Sequence, residues 1–178
     1  HNYIYKMKIV QGLSSLFFLT VPLMFEIPNY VTVGFVTLFT TSVLYHVFPE
    51  INFFRMLDTS AVIYVCSTYT FNSILLPLIF STLNILEKIL INTYSSFILF
   101  FIWIYTIIHC SVNFNKYTFL PIIFSCLSYY HTYFINQGKW NNKMRLIWHF
   151  HNTIYISINT PFRFNQTNLP EIPMKLLK

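Results

Sequence analysis

With 178 residues the chain is the size of one domain, yet only 9% of it is charged while 55% is hydrophobic and 20% aromatic. An ordinary soluble domain carries about 25% charged residues, so this composition excludes a water-facing surface of normal polarity and points to lipid as the solvent. The net charge of +6 is spread over loops and tails with no basic block, which argues against a nucleic-acid partner and reads as membrane-flanking charge.

A transmembrane helix needs roughly 20 mainly apolar residues. Apolar runs bounded by charge, Pro or Asn clusters lie at about 10 to 26, 30 to 46, 58 to 86, 94 to 110, 118 to 134 and 145 to 160. Lys6 and Lys8 precede the first run as they would in a signal peptide, but no small-x-small cleavage site follows, and the run is taken as a first span. The third run is too long for one simple span. It contains Asn72-Ser73 and then Pro77, so it is either two short helices packed as a hairpin or one long, tilted and kinked helix. The expected fold is therefore all-α, an integral membrane bundle of seven transmembrane helices, or six in the second case. Residues 1–160 form its single domain, and residues 161–178, with Pro161, Pro170 and Pro173, form a polar, extended and mobile tail that carries the sequon Asn165-Gln166-Thr167.

Charge in the loops does not choose between the two counts, because Lys and Arg divide seven to four across the membrane in either. The ionisable residues do. With seven spans, the end of span two, the start of span three, the end of span six and the start of span seven share one membrane face. His46, Asp58, His131 and His149 occupy those places, whereas six spans would carry His149 to the face opposite His46.

These residues are also the candidates for chemistry. Asp58 is the chain's one aspartate and opens an apolar helix just after Arg55, either as a helix N-terminal residue paired with that arginine or as a functional acid. Ser42 and His46, in the segment SVLYH at residues 42 to 46, stand four apart and share a helical face. The last span opens RLIWHFH, residues 145 to 151; His149 and His151 are about 200° apart around a helix, so at most one of them serves the bundle interior, and His149 is favoured. His131, in SYYHTYF, would complete a set with His46 and His149. Three histidines from different helices suit a catalytic zinc site with one position left for water, and Asp58 would orient or deprotonate that water. His109 reads as structural. Cys66, Cys110 and Cys126 are odd in number and lie in apolar runs, which suggests neither a disulfide framework nor a zinc ribbon.

Ser42 to His46 at the end of the second span, Asp58 at the start of the third and His149 in the last resemble the CREST superfamily of seven-span membrane proteins. Its pattern there is Ser-x-x-x-His, Asp and His-x-x-x-His. Within it, LSSLFFL at residues 13 to 19, TLFTTSVLYHVFP at 37 to 49, and RLIWH with the later Pro161 are similar to the myomaker-like branch. LDTSAVIYVCSTYT at residues 57 to 70 looks more like hemolysin III proteins. The resemblance implies a zinc-dependent hydrolase of an acyl ester or amide bond in a membrane lipid, with Asp58 and Ser42 catalytic and His46 and His149 on the metal, and His131 is by position the candidate third ligand. The main departure is Arg145, which stands where the superfamily's first last-span histidine should be. Either His131 or His151 substitutes, or the chain is a non-enzymatic, myomaker-like membrane-remodelling, fusion or lipid-binding protein with a degenerate metal site.

Overall fold

The computed structural model describes the backbone of residues 2–91, 96–112, 119–136 and 142–166. These form eight α-helices: α1 (Asn2–Ser14), α2 (Phe17–Met24), α3 (Asn29–Val47), α4 (Asn52–Phe71), α5 (Leu75–Ile91), α6 (Phe97–Val112), α7 (Phe119–Asn136) and α8 (Asn142–Gln166). Consecutive helices pack side by side, and α8 returns against α1 and α2, so the bundle closes on itself. α4 lies deepest, touching α3, α5, α6 and α8.

Proline and asparagine set most of the boundaries. Pro28 caps α3 and its carbonyl accepts from the amides of Val31 and Thr32 at 2.9 and 3.0 Å. At the other end Phe48 leaves the helical region, with φ −122° and ψ 61°, because Pro49 crowds the α conformation of the residue before it. The long third apolar run is divided into two helices. Asn72 takes the left-handed conformation at φ 46°, and its amide closes on the Thr68 carbonyl at 2.9 Å. After glycine, asparagine is the residue that tolerates this helix-ending geometry best. Pro77 falls in the first turn of α5, where a missing amide hydrogen costs nothing.

α1 and α2 are one helix broken at Ser15 and Leu16. Through the break the amides reach back three residues instead of four: Leu16 to Leu13 at 3.1 Å, Phe18 to Ser15 at 3.0 Å and Leu19 to Leu16 at 3.0 Å. Two causes coincide there. Pro22 cannot donate to the carbonyl of Phe18, and the hydroxyls of Ser14 and Ser15 both turn back onto the carbonyl of Gln11, at 2.8 and 3.1 Å; such back-bonding bends helices.

α8 runs on through Pro161 to Gln166, where an extended tail was expected from 161. A single proline removes one hydrogen bond from the ladder and the turns on either side keep theirs. Residues 167–178, and with them Thr167 of the sequon, lie outside the described residues, as does the side chain of Arg145.

The buried core joins Phe18 and Val21 of α2, Val31, Phe35 and Leu38 of α3, Ala61, Ile63, Val65 and Cys66 of α4, Leu99, Ile102 and Trp103 of α6, and Tyr155 and Ile156 of α8. On α4, small and β-branched residues are buried nearly all round, among them Ser60, Ala61, Val65, Ser67, Thr68 and Thr70, which lets neighbouring backbones come close. The tightest approach is at Gly34 of α3, where a Cβ would meet the Tyr64 ring at 2.8 Å and Val65 Cγ2 at 3.2 Å. Among the described residues one helix, α3, is long and apolar enough to cross a membrane by length and composition, and Lys8–Met24 and Phe97–Val112 are shorter apolar helices. Replacing Gly34 with leucine should force α3 and α4 apart and destabilise the fold by about 1–3 kcal/mol, read as a lowered unfolding temperature of the purified protein.

Candidate functional site

One stripe of α3 carries both core and site. Val31, Gly34, Phe35, Leu38, Thr41, Ser42 and His46 recur at three- and four-residue spacing and are all buried, so they share one face. The stripe is apolar over its first two turns and polar over its last two. Each polar member meets a different neighbour: Thr41 lies beside the Asp58 carboxyl of α4, Ser42 is hydrogen-bonded to Ser15 at 2.8 Å between hydroxyl oxygens, and His46 lies against His149 of α8.

The two histidine rings meet edge to face, with centroids 4.7 Å apart and planes at 89°. Nε2 of His149 lies 2.8 Å from Ser14 Oγ and 3.1 Å from the Gln11 carbonyl oxygen. The corresponding nitrogen of His46 is buried with no hydrogen-bond partner, and so is Oδ1 of Asp58. A buried polar atom without a partner is uncommon in a folded protein and marks a place where a ligand atom would be accepted. Gly12 of α1 supports the pair from the other side, since a Cβ there would stand 3.8 Å from the Cβ of His46. The contact of His46 with His149 makes the last turn of α3 and an early turn of α8 neighbours.

His131 is not with this pair. It lies against His151, ring centroids 5.5 Å apart, and Nε2 of His151 reaches Ser128 Oγ at 3.0 Å and the Phe124 carbonyl at 3.3 Å on α7. The angular argument that His149 and His151 cannot converge holds, but its corollary does not. Both are engaged in the bundle, because α8 has neighbours on both flanks: His149, Asn152, Thr153 and Ile156 form one stripe, while His151 and Tyr155 form the other, facing α7. His109 stacks on Tyr105 of its own helix, centroids 5.8 Å apart.

The expected three-histidine zinc set is thus divided, with His46 beside His149 and His131 beside His151 instead. Among the described residues no three His, Cys, Asp or Glu side chains come together as a metal would need. The pair at His46 and His149 supplies two imidazoles, one of which already has its Nε2 committed to α1, so the donors present do not fit a three-ligand zinc site.

Gln11, Ser14 and Ser15, which complete the centre, do not emerge from the sequence as site residues. Their signal is the polar triplet itself, set in an otherwise apolar span, where each such group has to be partnered or used. The chain matches no protein-family model, no curated protein and no solved structure. Removing the hydroxyl in Ser14→Ala should cost about 0.5–1.5 kcal/mol of stability. A double-mutant cycle with His149→Ala should return a coupling of the same order, since both changes delete one contact.

Proposed function

We propose that the chain is an integral membrane protein that crosses the bilayer seven times, without enzymatic activity of its own, and that it engages a membrane lipid at the polar end of the bundle around His46 and His149. One observation carries the reading: the distribution of side chains is inverted relative to a water-soluble domain. Large hydrophobic residues are exposed on every helix, from Leu13 and Leu23 through Val33, Phe53, Leu90, Val112 and Leu127 to Ile154. Soluble monomers seldom expose contiguous apolar patches beyond a few hundred Å². The interior, in contrast, is rich in hydroxyls bonded to their own helices, as in Thr41 to Thr37 at 3.0 Å, Ser60 to Met56 at 2.8 Å, Thr70 to Cys66 at 2.8 Å and Thr106 to Ile102 at 2.7 Å. That is how hydroxyl side chains are satisfied where no water reaches them.

Lipid enters the reading through geometry. The centre joins the α1–α2 break, the last turn of α3 and early turns of α4 and α8, all at one end of the bundle. In a bilayer that end lies near the headgroup level, where a ligand with an apolar tail and a polar head would present its head to His46. The zinc-hydrolase reading keeps one specific support, the unpartnered Nε2 of His46 beside His149 with Oδ1 of Asp58 also unpartnered. It needs a third ligand, and Arg145→His would supply the one in the superfamily's pattern.

Membrane topology and site chemistry are tested separately. The expressed chain should stay with membranes through alkaline carbonate, and single-cysteine reporters at Glu50 and Lys139 should be labelled from one side, with those at Glu26 and Lys116 labelled from the other. Release by carbonate would overturn the membrane reading. Purified wild-type protein should carry no stoichiometric zinc and cleave neither ester nor amide lipids, while vesicle lipids should bind it and bind His46→Ala more weakly. Zinc at one per chain together with hydrolysis, both lost in His46→Ala, would establish the enzyme instead.

A further inference from the structure

A carbonyl oxygen can only accept hydrogen bonds. The carbonyl of Gln11 lies within reach of three side chains: Ser14 Oγ at 2.8 Å, Ser15 Oγ at 3.1 Å and His149 Nε2 at 3.1 Å. Each must therefore bring a hydrogen. For the serines this fixes what remains. Ser14, donating to Gln11, meets His149 Nε2 at 2.8 Å as an acceptor, and Ser15, donating to Gln11, meets the Ser42 hydroxyl at 2.8 Å as an acceptor. Every hydrogen in the network then runs in one direction, from Ser42 to Ser15 to Gln11 and from His149 to Ser14 and Gln11.

From this pattern we infer that the Gln11–Ser14 corner is a positioning element that holds His149 in its Nε2–H form, so that His149 acts in the centre as a hydrogen-bond donor tied to α1 and not as a metal ligand through Nε2. The inference rests on the reading of the His46–His149 pair as the site. A neutral imidazole has one hydrogen and one lone pair. With the hydrogen on Nε2, a metal approaching that nitrogen would have to displace both the proton and the Gln11 carbonyl. The break between α1 and α2 contributes directly, because it is the serines at the break that set the direction of the network. The same arrangement recurs across α8, where Nε2 of His151 meets the carbonyl of Phe124 and the hydroxyl of Ser128. A histidine set against a carbonyl and a serine of the neighbouring helix is thus used twice, and in both places it ties α8 down.

The test uses the full chain in detergent or nanodiscs, with histidine labelled with ¹⁵N. The chain has six histidines, and variants of the others assign His149 by elimination, so the readout does not depend on any His149 variant folding. The wild-type spectrum should show His149 with a protonated Nε2 and a lone-pair Nδ1, unchanged by chelator or by equimolar zinc. Glutamine places an amide N–H near the position of Nε2, whereas asparagine is too short and alanine has no donor. His149→Gln should therefore unfold at the wild-type temperature, and His149→Asn and His149→Ala about 2–4 °C lower. An Nδ1–H form of His149 would overturn the inference. So would one zinc per chain whose removal shifts the histidine signals, with His149→Gln as damaging as His149→Ala. Carbonate extraction of the same variants separates these outcomes from a failure of the membrane reading, which would release wild type and variants alike.

Discussion

The Gln11 carbonyl, half released from its helix by the break at Ser15 and Leu16, is the point on which the polar end of the bundle depends. In a regular helix that oxygen would be taken by one amide four residues on. Here the Ser15 amide is shared between Gln11 and Gly12, at 3.3 and 3.2 Å, and the oxygen turns to side chains. In a buried interior each of those side chains needs such a partner, because an unmet hydrogen bond costs about 1–3 kcal/mol. The break in α1–α2, the rotamers of Ser14 and Ser15, the orientation of Ser42 and the seat of His149 are thus one arrangement rather than four. Local distortion of the first helix is what allows α3 and α8 to present their histidines to each other.

How far this was legible in the sequence follows from the kind of information each feature needs. The boundaries of α3 are written in Pro28 and Pro49, and the hairpin of α4 and α5 in Asn72, because prolines and left-handed asparagines act on the residues beside them. The shared face of Ser42 and His46 is equally local, following from helical spacing alone. The contact of His46 with His149 is not local, but the chain order of the ionisable residues was enough to suggest it. Pairing within that end is another matter. Whether His131 joins His46 or His151 depends on which flank of α8 faces α7, and a helix that carries polar side chains on both flanks holds little record of which is which. The serines of α1 were hidden for a related reason, since a serine in an apolar span is read as filler until its partner is known.

The same property accounts for the run of α8 past Pro161. Proline ends helices in water partly because the freed carbonyl finds solvent and the chain has somewhere better to go. A helix flanked by α1, α2, α4 and α7 is held by its packing before the proline, and the loss is confined to one hydrogen bond. Packing of the stripe at His149, Asn152, Thr153 and Ile156 and of the second stripe at His151 and Tyr155 pins the helix from two sides before the proline is reached. Arg145, one turn before His149 on the same face by spacing, belongs to the end where these contacts begin.

The division of the histidines into two pairs bears on what the centre can do. A metal held by three imidazoles draws them toward a common point, and the surrounding shell then has to orient each ring from outside. In this bundle the shell is present without the common point: Gln11 and Ser14 orient His149, Phe124 and Ser128 orient His151, and the rings they orient look to opposite flanks of α8. Bringing His151 to His46 would require α8 to rotate by roughly half a turn, which would carry His149 away, tear both carbonyl contacts and turn the outward-facing Ile147 and Ile154 inward in place of Asn152 and Thr153. The polar side chains that hold α8 in its present rotation are therefore the same ones that keep the third histidine away. Two histidines, an unpartnered Asp58 oxygen and the Ser42 hydroxyl are what this end of the bundle gathers from the predicted site.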